Sequence, residues 1–120
     1  MKLGNVEKTI LFDGVEDWNY LGAVQALVRS ENRSADETTW RRITLEVIRR
    51  LAEDGLVKVG EIHREEGFVP WEEPISESLK KIENAMVASD DWIDWSSFAW
   101  LANTDKGNEI GNSIDPAELD

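Results

Sequence analysis

The chain contains no cysteine, so neither a disulfide nor a thiolate metal site can help hold it together. Its one histidine, His63, stands among Glu61, Glu65 and Glu66. That set lacks the three or four ligands at fixed spacing that a zinc centre needs. A Ser–His–Asp arrangement would have to form around the same position, in a segment that reads as a flexible charged tip, and is set aside. No apolar run approaches the roughly 20 residues of a membrane span. The start, Met1-Lys2-Leu3-Gly4-Asn5, lacks the basic head and apolar stretch of a secretory signal. These absences lead to the expectation of a cytoplasmic protein with no metal, no cofactor and no catalytic residue.

Basic residues are scarce in one half only. Residues 1–60 carry nine Lys and Arg against ten Asp and Glu; residues 61–120 carry four against fifteen, and the whole chain has a formal charge of -12. Self-repulsion of this size costs stability, and the surplus repels phosphate backbones. Solubility alone is the bland account of it. The functional account is a face that attracts a basic protein.

At 120 residues with 41% hydrophobic content, the chain suits one globular domain and is too short for two good cores. Val6, Ile10, Leu11 and Phe12 lead to Gly14 and read as a first helix, although Thr9–Phe12 would also suit a strand. Asp17 then precedes Trp18, Leu21, Val24, Leu27 and Val28, the spacing of a buried helical stripe. Ser34 or Asp36 can cap a third helix carrying Trp40, Ile43, Val47, Ile48 and Leu51, which stops at Asp54-Gly55.

After Gly55 the period changes. Leu56, Val57, Val59 and Ile62 suit a strand, His63–Gly67 a hairpin tip, and Phe68-Val69 a returning strand limited by Pro70. Pro74 and Ser76 open a helix with Ile75, Leu79, Ile82 and Met86 in line. Asp94 is expected to cap another through Trp95, Phe98, Trp100 and Leu101, ending at Asn103-Thr104, with Ile110 and Ile114 anchoring one last turn. Asp17-Trp18 and Asp94-Trp95 both read as a helix cap followed by an aromatic anchor. The expected fold is mainly α with a small β-hairpin, an α+β winged-helix-like core plus C-terminal helices. It spans residues 1–114 as one domain, with 115–120 a frayed tail.

The carboxylate pairs Glu65-Glu66, Glu72-Glu73 and Asp90-Asp91 lie in polar segments, where adjacent acids stay solvated and ionised rather than splitting into an acid and a base. Asn103–Gly107 fails as a calcium loop, because its glycine comes one place early and its last ligand position is Ile114. No phosphate-binding glycine loop is present. Arg41, Arg42, Arg49 and Arg50 lie opposite the apolar stripe of the third helix, the element that would enter a major groove. Glu46, Glu53 and Asp54 share that helix, so ordinary surface pairs explain the arginines as well.

Six tryptophans are many for this length. Trp18, Trp40 and Trp95 fit core stripes and Trp100 sits off its line, whereas Trp71 follows the hairpin and Trp92 lies in an acidic break. A large ring on an acidic surface suits a binding hot spot.

The run Val47–Val57 resembles the helix-to-wing junction of winged-helix proteins. Together with Gly67–Trp71 and Trp100–Thr104, it resembles a group of small acidic bacterial proteins, some of which are similar to the immunity partners of contact-dependent toxins. That resemblance implies neutralisation of a basic, nuclease-like toxin domain and brings no catalytic residues. The expected binding set is Glu65, Glu66, Trp71, Glu72, Glu73, Asp90, Asp91, Trp92 and Asp94, used by a monomer or homodimer against a basic protein partner, with no membrane and with nucleic acid disfavoured. The alternative is a winged-helix transcription regulator that contacts DNA through Arg41, Arg42, Arg49 and Arg50.

Overall fold

A computed structural model describes residues 3–119. Met1, Lys2 and Asp120 lie outside the described residues, and with them part of the signal reading and the end of the expected tail. The third helix organises the rest. Helix α3, Glu37–Glu53, starts where the Asp36 side chain accepts the Thr39 N–H at 2.9 Å. That bond holds the Asp36 carboxyl below its usual range. Thr44, Val47, Ile48 and Leu51 form its buried stripe. Gly55 closes it at φ +75, a left-handed backbone that most residues avoid, while Leu56 N–H returns to the Leu51 carbonyl at 2.9 Å.

Around α3 stand α1 (Asn5–Asp13), α2 (Leu21–Glu31), α4 (Ile75–Ala88), α5 (Trp92–Ser96) and α6 (Asp105–Ser113). The strands are β1 (Asn19–Tyr20), β2 (Val57–His63), β3 (Gly67–Pro70) and β4 (Trp100–Asn103), in the antiparallel order β1-β4-β2-β3. The described chain is thus α+β, with six α-helices and a small four-stranded sheet. Ile10, Leu11, Val24, Ile48, Leu56 and Ile82 are fully buried where the helices meet the sheet. None of these helices is long and apolar enough to cross a membrane.

Several expectations change. The first helix forms over residues 5–13 as expected and the strand alternative for Thr9–Phe12 falls away, but the Gly14 that follows it stands at φ -71, outside the left-handed region. It is glycine for room, since a Cβ would enter the space of the Asn103 side chain. Trp18 does not open α2. Asn19 and Tyr20 pair with Leu101 and Trp100, and α2 begins only at Leu21, whose N–H bonds the Ala99 carbonyl at 2.9 Å.

The helix expected from Trp95 to Leu101 is a five-residue α5 capped by Asp91, not Asp94. The chain then becomes β4, lying between β1 and β2. Pairing on both sides satisfies the β4 backbone and buries Leu101, which outweighs a short helical pattern. Thr104 does not end a helix but starts one: its hydroxyl caps α6 by accepting the Gly107 N–H at 3.1 Å. In the expected tail, Pro116–Glu118 forms a 3-10 turn, and Glu118 lies 3.7 Å from Lys8.

The free edge of β3 is short of donors. Trp71 N–H bonds the Val59 carbonyl at 2.9 Å, so by antiparallel alternation Phe68 and Pro70 turn their backbone groups outward. Pro70 has no N–H, which discourages the addition of another strand there.

Candidate protein-binding surface

The acidic set named from the sequence falls in three places. Glu65 and Glu66 lie in the turn between β2 and β3, Glu72 and Glu73 at the entry to α4, and Asp90, Asp91 and Asp94 beyond its far end. Fourteen helical residues separate the last two groups, which is about 21 Å at 1.5 Å per residue. They do not form one continuous acidic patch. Glu73 is also engaged, with Lys81 at 3.0 Å.

Trp71 is half-buried and holds the hairpin to α4. Its Nε1–H donates to Glu61 Oε1 at 2.6 Å, Lys81 Nζ sits 3.8 Å from its ring centroid, and Phe98 meets it edge-on at 5.8 Å. These contacts leave less of the ring for a partner than its sequence position implies. The other oxygen of Glu61 lies 2.8 Å from His63 Nε2, so His63, the last residue of β2, takes part in this clasp.

The Trp71 and His63 hydrogen bonds hold the Glu61 carboxyl below its usual range. A carboxyl depressed by folding stabilises above its unfolded pKa and loses that contribution as pH falls through the folded one. Acid titration followed at the Trp71 indole N–H resonance should therefore show a transition below the ordinary glutamate range, and Glu61→Gln should remove it. An unchanged transition in the variant would rule out this link.

Trp92 occupies a different setting. Asp91 Oδ1 caps α5 through the Ile93 N–H at 3.0 Å, and Ser89 Oγ donates to Asp94 at 2.6 Å while accepting the Asp91 N–H at 3.1 Å. This tight turn presents Trp92, 37% exposed, and Ile93, 73% exposed. Trp92 leans edge-on against Tyr20 at 6.2 Å and against buried Trp95 at 6.4 Å. Gly22 leaves room for it, because a Cβ there would meet the Trp92 ring. Of the nine residues named from the sequence, Asp90, Asp91, Trp92 and Asp94 come together here.

Exposed Val87, Ile93 and Phe98 were missed by the sequence reading. A signal for them exists, since no Lys, Arg or His occurs between Lys81 and Lys106. Trp18 is a correction: it is 42% exposed and packs on Phe68 of the hairpin at 6.3 Å rather than in the core. Trp40 is half-buried, with its Nε1–H on the Asn32 carbonyl at 2.8 Å and Arg29 4.7 Å from its ring centroid.

The four arginines of α3 divide into pairs. Arg49 bridges Glu46 and, at 2.7 Å, Glu53. Arg50 lies 3.0 Å from Glu7, whose side chain is only 8% exposed. Arg41 and Arg42 line a groove between α3 and α4 with Leu45, Leu79 and Glu83. Replacing Arg50 strands a buried carboxylate. Arg50→Glu should therefore cost about 2 kcal/mol, below the full value for a buried pair because the guanidinium is half in water. Arg42→Glu, on an exposed side chain, should stay within about 0.5 kcal/mol in urea titrations. Equal costs would refute the distinction.

Among the described residues no group of three metal-binding side chains converges. Comparisons with protein-family models, curated proteins and solved structures gave no match.

Proposed function

We propose that this protein is a non-enzymatic binding module for a basic protein, most concretely an immunity-type inhibitor of a basic toxin domain in the cytoplasm. The observation that carries the reading is an exposed aromatic and aliphatic pair, Trp92 and Ile93, standing among Asp90, Asp91 and Asp94. Apolar contact area and carboxylates then act on one partner. The acids raise the encounter rate and reject other anions, while the apolar pair sets the lifetime of the complex.

The fold is read as a modified winged helix. Helices α1 to α3 and the β2–β3 hairpin keep the expected order, β4 fills the place beside β2, and α4 to α6 extend the core. Two observations disfavour the regulator reading. Arg49 and Arg50 are held by carboxylates of this chain, and a charge of -12 opposes a polyanion. Co-purification from the native host at low and high salt tests the function. A basic protein should be retained by the wild type and lost from Ile93→Asp. Recovery of no protein partner at either salt concentration would overturn the proposal.

A further inference from the structure

The end of α4 differs from the other helix ends. At the C-terminus of each other α-helix a following backbone N–H bonds a carbonyl of the last turn; no such bond closes α4 at Ser89. The last turn of α4 also carries no basic residue. Its open carbonyls form the negative pole of the helix, next to a turn that contains Asp90 and Asp91 and leads into the first turn of α5 with Asp94. Both features favour a cation, and this chain supplies none between Lys81 and Lys106. Exposed Val87, Trp92 and Ile93 flank the same turn.

Resting on the function proposed above, we propose that the α4–α5 turn docks a basic amphipathic helix of the partner. The helix lays its apolar face on Val87, Trp92 and Ile93, and sets a Lys or Arg against Asp90 and the open α4 carbonyls. Charge complementarity selects this occupant. A second copy of the chain would bring the same aspartates face to face across a twofold axis. The backbone argues for a helix over a strand. The turn is built from helix ends, and the free edge strand beside Trp92, β1, is only two residues long, so an extended segment buried there would lose water from most of its N–H and C=O groups without replacement. A helix satisfies its own.

The probe is a synthetic lysine–leucine peptide of about 18 residues, about five helical turns, with leucines on one face. Its controls are a scrambled peptide of the same composition and oligolysine. Amide spectra of the full chain should shift at residues 87–94 with the amphipathic peptide. Affinity should fall about tenfold in Ile93→Asp and about tenfold in Asp90→Lys, both exposed positions, and less than about twofold in Glu65→Lys at the hairpin turn.

Binding that shifts other residues would overturn this surface while leaving the broader function standing; no binding of any cationic probe would remove both. Equal binding of the scrambled peptide would refute the helical occupant. The same shifts produced by calcium alone, or by raising protein concentration without peptide, would assign the turn to a metal ion or to self-association and overturn the proposal.

Discussion

Gly107→Val is expected to destabilise the protein by about 3 kcal/mol, a large part of the roughly 5–15 kcal/mol that holds a domain of this kind together. Helix α6 has nine residues and carries buried glycines one turn apart, at 107 and 111. Each glycine weakens a helix by about 1 kcal/mol relative to alanine, so their presence calls for compensation by packing. The compensation is close backbone approach. A Cβ on Gly107 would enter the space of the Leu56 carbonyl oxygen, and one on Gly111 that of the Leu11 carbonyl oxygen. Neither obstacle is a flexible side-chain end. The Leu56 oxygen is fixed further by the Thr104 N–H at 3.0 Å. Valine at 107 must therefore push α6 away from the start of β2 and from α1. Urea denaturation should show a lower midpoint with an unchanged slope. Gly55→Ala is the contrast: nothing lies within 4 Å of a Cβ there, so only its positive φ costs, at about 1 kcal/mol. A wild-type midpoint for Gly107→Val would disprove the close approach.

That glycine pair illustrates what could be read in advance and what could not. The α3 helix carried its own local signals: a cap at Ser34 or Asp36, of which Asp36 serves, a buried stripe at helical spacing and Gly55 at the end. The β2–β3 hairpin and the α4 stripe of Ile82 and Met86 were legible for the same reason. Strands β1 and β4 were not, because two and four residues are too few to show a period. Their partners lie far off in the chain, 82 residues away for Asn19 and Leu101 and 42 for Val59 and Leu101. Asp91 and Asp94 are equally good caps by local chemistry, and the burial of Trp95 decides where α5 lies. Composition likewise showed an acidic second half, but not that α4 would hold Glu72 and Asp90 at opposite ends. The candidate surface was therefore half legible. Trp92 and its aspartates were visible as an aromatic in an acidic break, whereas Ile93 and Val87 depend on which side of each helix faces the core.

Trp95→Ala should test how far that surface depends on its support. A fully formed helix of five residues has no independent stability, because nucleation fixes several dihedrals for very few hydrogen bonds. Two things hold α5: the Asp91 cap and Trp95, whose ring is 4% exposed and lies 6.4 Å from Trp92. Truncating a buried tryptophan to alanine costs about 3–5 kcal/mol through lost contacts and the cavity left behind. The loss here should be local first. Hydrogen exchange at residues 92–96 should rise sharply while α3 stays protected, since α5 packs chiefly on α2 and α4 rather than on α3. Trp92 would lose one of its two aromatic supports, and near-ultraviolet circular dichroism should report a freer ring. Trp95→Phe keeps an aromatic anchor and should recover much of the protection, which guards against a variant that merely fails to fold. If Trp95→Ala leaves exchange at α5 and the urea midpoint as in the wild type, then Trp92 and Ile93 are positioned by something other than the ring beneath them.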